Sequence, residues 1–156
     1  MNFKEDLIHD PVSILPLRDA IAIDKHTVIR GAIALMRTHS LGCTVIVDHR
    51  CYPTGIFTEQ SVIRTLVAGA SLDATPVSEF ADPCFCVVRM SDPILEAWNA
   101  VVRANARFLC VTNEEGELAG LTGQRGIAEY VCDCFANQIP VQRLGSTPWM
   151  LHREGA

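Results

Sequence analysis

A gapless internal repeat constrains this chain more than any other feature. Residues 23–61 lie over residues 88–126 at a constant offset of 65. Ile29 meets Ile94, Ala32 meets Ala97, Ile46 meets Val111 and Gly55 meets Gly120, while Asp48 and Asn113 both end apolar runs. Self-similarity at a fixed period means that one supersecondary unit is used twice. A unit of this size cannot bury both faces of a sheet alone, and two packed together can.

Each copy reads strand, helix, strand, turn, strand, helix. In the first, Ala20 to Ile23 is a short strand and Thr27 is the expected cap of a helix from Val28 to about His39. Ile29, Ala32, Ile33 and Met36 recur on one face of that helix. Cys43 to Asp48 is β-branched and extended, His49 to Thr54 turns, and Gly55 to Phe57 returns. A helix over Thr58 to Ala68 follows, with Val62, Ile63 and Leu66 expected inward and Gly69 ending it. In the second, Phe85 to Val88 opens and Asp92 is the expected cap, with Pro93 in the first helical position. Ile94, Ala97, Trp98 and Val101 form the expected buried face. Phe108 to Thr112 is a strand, Glu114 to Glu117 a solvated turn, Leu118 to Thr122 a strand, and Gln124 to Phe135 a helix. The fold class is therefore α/β (α+β): two β-α-β-β-α repeats packed with pseudo-twofold symmetry. The divisions are a lead-in over 1–19, a first repeat over 20–70, a connector over 71–84, a second repeat over 85–136 and an irregular tail over 137–156, anchored by Trp149.

A net charge of −5 lacks the clustered Lys and Arg of a general nucleic-acid surface. No apolar run approaches the roughly 20 residues of a membrane span. Met1 to Asp10 is mixed and polar, without the basic start or apolar centre of a signal peptide, so a cytoplasmic location is expected. Cysteines number seven, an odd count. Neither their spacing nor that of the five histidines makes a zinc set, so the thiols read as small buried apolar groups and no metal is expected. There is no G-x-S-x-G, Walker loop or G-x-G-x-x-G either. The chain offers no nucleophile with a base, and it is not read as an enzyme.

The stretch Thr44-Val45-Ile46-Val47-Asp48, a turn, then Gly55-Ile56-Phe57-Thr58-Glu59-Gln60-Ser61-Val62-Ile63 resembles the CBS-domain signature, and Phe108 to Val131 resembles a weaker second copy. Asp10-Pro11-Val12-Ser13 to Arg18 and Pro76-Val77-Ser78-Glu79-Phe80 resemble the lead-in segments of such repeats. The resemblance covers about residues 10 to 135 and implies a paired module with two clefts for adenosine nucleotides or related adenosyl ligands. It implies a first site at Ala22, Ile23, Gly42, Cys43, Thr44, Thr58, Gln60, Ser61 and Arg64. Independently of any family, a helix N-terminus favours a phosphate, and Thr58 adds a hydroxyl there. Thr58 is also the expected helix cap, and Ser61 reads either as a solvated first-turn residue or as a ligand contact. Ser61 stands where the family pattern has an Asp that would hold ribose. The second, degenerate site comprises Arg107, Phe108, Gly123, Arg125 and Gly126, where the two glycines replace the signature side chains. Arg64, Arg107 and Arg125 are cations for a phosphate or plain surface charges.

The implied function is a regulatory, ligand-sensing module. It would hold AMP, ADP, ATP or another adenosyl ligand at the first signature, need no obligatory cofactor, and signal through a homodimer to a separate regulated protein. Ile63, Leu66, Val67, Ile127 and Val131 are the expected dimer surface. The alternative is a dimerisation adaptor that has lost nucleotide binding.

Overall fold

The computed structural model describes residues 3–138. After α1 (Phe3–His9), the first repeat contains β1 (Ala22–Ile23), α2 (Ile29–Thr38), β2 (Cys43–Val47), β3 (Pro53–Thr58) and α3 (Glu59–Val67). The second contains β4 (Val87–Arg89), α4 (Ile94–Ala104), β5 (Phe108–Thr112), β6 (Leu118–Gly123) and α5 (Gln124–Gln138). The last helix thus runs to Gln138. The rest of the expected tail, with Trp149, lies outside the described residues.

Each repeat forms its own three-stranded sheet, β1-β2-β3 and β4-β5-β6, with the first pair parallel and the second antiparallel. Register obeys the sequence offset. Cys43 pairs with Thr58 and Phe108 with Gly123, and both sheets slip at the same place, between Ile46 and Val47 and between Val111 and Thr112. Backbone specials repeat too. Ser40 and Asn105 end α2 and α4 with φ of 50° and 49°, and the hairpins turn through Cys51 and Gly116 with φ of 61° and 90°. In these hairpins Asp48 Oδ1 accepts from the Arg50 and Tyr52 amides, and Asn113 Oδ1 accepts from Glu117. Those amide bonds, Tyr52 foremost, hold the Asp48 carboxyl below its ordinary range.

Neither Thr27 nor Asp92 caps its helix. The N-cap positions are Val28 and Pro93, without side-chain caps. The first amides instead find backbone carbonyls: Ile29 and Arg30 donate to Thr75 and Leu72, and Ile94 donates to Asp10. The Asp92 carboxylate is turned back to the Arg89 amide. These partners come from the lead-in segments, which cross over. Val12 donates to Asp92 O and Val77 to Thr27 O, and bridges join Pro11 to Pro93 and Val28 to Pro76. Pro11-Val12-Ser13 and Pro76-Val77-Ser78 are again 65 apart, so the repeat extends back to these segments.

Three buried clusters result. Ile23, Ile29, Ala32, Met36, Ile46, Phe57 and Val77 fill the first repeat. Val12, Ile94, Ala97, Val101, Leu109, Val111, Ile127 and Tyr130 belong to the second. Cys43, Val45, Ile56, Cys110 and Leu121 join the two sheets across their facing sides. Strand alternation explains the split, because Val45 and Ile46 point to opposite faces.

The helix faces differ from the expected ones. On α3, Ile63 and Leu66 are 59% and 58% exposed, while Ser61 and Thr65 are fully buried. Small side chains let α3 lie close against the turn at Val77–Phe80, and Thr65 satisfies its hydroxyl on the Ser61 carbonyl. Trp98 is 46% exposed because the core stripe of α4 runs through Ile94, Ala97 and Val101 and leaves it at the edge. Ile127 is buried in the second core, and half-buried Val131 packs against it.

Candidate functional site

The offset produces two clefts, one at the start of α3 and one at the start of α5. At α3, Thr58 is the N-cap. Its Oγ1 accepts from the Ser61 amide at 3.3 Å, and Ser61 Oγ accepts from the Thr58 amide at 3.1 Å, a reciprocal capping box. The Thr58 hydroxyl also donates to Asp82 Oδ2 at 2.8 Å. Arg64 turns inward to Ser61 Oγ and to the carbonyls of Phe80 and Ala81. Ser61 is therefore neither solvated nor free. The space left is about 140 Å³, lined by Gly42, Ile56, Thr58, Glu59, Gln60, Asp82, Cys84, Asn105, Arg107 and Phe108.

The remaining residues expected at this site lie elsewhere. Ala22 is exposed on β1, away from the cleft lining, and Ile23 belongs to the first core. Cys43 and Thr44 are fully buried, and the Thr44 hydroxyl has no hydrogen-bond partner among the described residues. Packing along β1 and β2 sends the Ile23, Cys43 and Thr44 side chains into the interior, so only their backbone could be reached.

The second cleft, about 480 Å³, brings together all five residues of the degenerate signature, Arg107, Phe108, Gly123, Arg125 and Gly126, and shares Arg18, Leu41, Arg107 and Phe108 with a cavity of about 580 Å³ that reaches Gly42, Glu59 and Val62 of the first repeat. Pro16, Arg18, Leu41, Leu121, Thr122 and Gln124 complete most of its wall. Both glycines are sterically required. A Cβ on Gly123 would lie 2.2 Å from the Arg107 carbonyl, and one on Gly126 would lie 2.4 Å from Thr122 Oγ1. Thr122 is 7% exposed, and its hydroxyl has no hydrogen-bond partner among the described residues. A buried hydroxyl without a partner costs free energy, about 1–3 kcal/mol, and marks a place where a polar group is wanted.

Charge separates the clefts further. Three guanidinium groups (Arg18, Arg107, Arg125) and one carboxylate (Glu129) line the second, a balance of 3 − 1 = +2. Two carboxylates (Glu59, Asp82) and the shared Arg107 line the first, a balance of 1 − 2 = −1. Arg107 pairs with Glu59 at 2.9 Å and lies over the Phe108 ring at 5.3 Å, while Arg125 pairs with Glu129 at 2.8 Å. These pairs are exposed and weak, so either arginine can turn to a phosphate at small cost. Arg18 has no carboxylate partner among the described residues.

Arg18 and Asp82 had no signal in the motif. Both sit on lead-in segments, and their placement depends on pairing across the chain: Arg18 exchanges both backbone bonds with Leu121, and the Asp82 amide donates to Ile56. Among the described residues, no three His, Cys, Asp or Glu side chains converge as a metal site would require. No helix among them is long and apolar enough to cross a membrane.

No family model matches the chain. An uncharacterized 17.7 kDa protein of Acidianus ambivalens is 22% identical over 128 residues, which cover 82% of this chain and 77% of that one. A CBS domain protein from Pyrobaculum aerophilum, complexed with AMP, superposes with a TM-score of 0.71 at 23% identity, covering 81% of this chain and 98% of that one. A CBS domain-containing protein of unknown function from Bacillus anthracis gives 0.71 at 13% identity, over 83% and 98%. A CBS domain pair in complex with 5′-methylthioadenosine and S-adenosyl-L-methionine gives 0.69 at 14% identity, over 80% and 97%. With two offset-related α/β repeats facing each other through their sheets, the chain has the fold of a CBS-domain pair.

Proposed function

We propose that this chain is a regulatory module that binds an adenine nucleotide in the second cleft and works as a homodimer. The observation that carries the reading is that cleft: about 480 Å³ at the N-terminus of α5 and cationic on balance. Its size falls within the range of small-molecule sites, roughly 300–1,000 Å³. Phe108, Leu121 and Leu41 offer an apolar wall for a base. Arg18, Arg125 and the amides opening α5 offer cations and donors for a phosphate. The complexes of similar folds with AMP and with adenosyl ligands support this choice of ligand class.

This reading puts the ligand at the second repeat's signature and not at the first, where the motif is stronger, because the first cleft carries two carboxylates against one shared cation. Ile63, Leu66 and Val67, all exposed on α3, are the face assigned to the second copy. Occupancy would shift the population between dimer arrangements that differ in affinity. A thermal-shift screen against AMP, ADP, ATP, NAD, S-adenosylmethionine and methylthioadenosine tests the ligand. A true ligand at a hundred times its Kd stabilises by about 2.7 kcal/mol. No shift with any of them would leave the adaptor reading, and a monomer mass by light scattering at micromolar concentration would remove the dimer.

A further inference from the structure

The first cleft already contains an anion of its own. Asp82 presents Oδ2 to the Thr58 hydroxyl at 2.8 Å and Oδ1 to the Cys84 amide at 2.8 Å, and its own amide donates to Ile56 at 2.7 Å. The carboxylate is thus pinned on both oxygens at the N-terminal end of α3, where the helix dipole favours negative charge. Thr58 has a single hydroxyl proton, and it is committed to Asp82. Arg64, the cation one turn along, is committed to Ser61 and two carbonyls. The Thr58 hydroxyl and the inner Arg64 Nη2 are thus engaged within the protein, and a phosphate entering there would meet Asp82 and Glu59 as like charges. At the position offset by 65 from Asp82 the chain has Leu17, a neutral residue packed against the second core.

We propose that Asp82 acts as a built-in anion that shuts the first cleft to phosphate-bearing ligands, so that the chain holds one nucleotide where its fold offers two places. The proposal rests on the nucleotide reading above and makes Asp82 the residue that sets stoichiometry and charge preference. Removing the carboxylate frees the Thr58 hydroxyl and neutralises the cleft, from −1 to 0 by the loss of one negative group.

Titration calorimetry with AMP on the full chain tests this, comparing wild type with Asp82→Ala and with Asp82→Asn, which keeps the turn and removes the charge. The expected result is one AMP per wild-type chain and a second equivalent in both variants, with first-cleft affinity raised at least about tenfold. Adding Thr58→Ala to Asp82→Ala should abolish the gained equivalent. One AMP per chain in all three proteins overturns the proposal, as do two in the wild type. If the wild type binds none and the variants bind one, the second-cleft reading falls and the role of Asp82 stands. If none of them binds, both fall.

Discussion

Cys43 and Cys110 lie in the buried seam between the sheets, and burial pushes each thiol up to about 12. A folded-state value above the unfolded one means that the protonated thiol is the form the fold prefers. The corresponding stability is complete below about pH 9 and is lost as pH rises towards 12. Tyr130 acts in the same sense. Burial first, and then its 2.6 Å bond to Asp10, raise its phenol well above the ordinary range. Urea midpoints should therefore fall steeply above pH 9, and a flat profile to pH 11 would contradict these assignments. At pH 8, exposed Cys51, Cys84 and Cys132 should react with a thiol reagent at once. Cys43 and Cys110 should react only on unfolding, as peptide mapping would show. Cys51 has a second distinction, a left-handed φ of 61° at the hairpin position its repeat mate fills with Gly116. Left-handed backbone costs an L-residue about 1–2 kcal/mol, and glycine gives back part of that as chain entropy. Cys51→Gly should raise stability by about 0.5 kcal/mol, read as a higher melting temperature.

At the scale of elements, the start of α5 holds the sharpest contradiction between motif and geometry. A side chain at Gly126 would match the signature, yet its Cβ would collide with Thr122 Oγ1. Gly126→Ala should cost about 1–3 kcal/mol through overpacking. Thr122→Ala, which removes an unpartnered hydroxyl, should recover much of that in the double variant; additive losses by chemical denaturation would contradict the contact. The strands and helices were largely legible because β-branched runs, glycines and prolines recur at one offset and fix their period. What local pattern could not show is where partners come from. Thr27 and Asp92 look like caps, but carbonyls of Thr75, Leu72 and Asp10 arrive from distant segments and satisfy those amides. Ser61 and Thr65 look like surface residues of α3, yet the closeness of the Val77–Phe80 turn favours small side chains there over Ile63 and Leu66. The site suffered most. Its motif residues stand in the local pattern, whereas Arg18 and Asp82 acquire meaning only through long-range pairing.

Across the whole molecule, the crossed lead-ins tie each repeat to the other's surroundings. Val12 is buried in the second repeat's core although it precedes the first repeat, and Tyr130 on the last helix bonds Asp10. Val12→Ala should destabilise by about 2 kcal/mol, from two lost methyl groups and a residual cavity. Hydrogen exchange should show faster opening in α4 and β5 than in α2 and β2, and equal loss in both repeats would contradict the crossover. The same crossing delivers Arg18 to the second cleft and Asp82 to the first, so one topological feature makes offset-related clefts chemically opposite. The central claim is that the second cleft is the one that takes a nucleotide, and amide chemical-shift mapping during an AMP titration tests it most directly. The account predicts shifts at Arg18, Phe108 and Thr122 to Gly126, with Thr58 to Ser61 still. Shifts confined to Thr58 to Ser61, or none at either helix start, would contradict it.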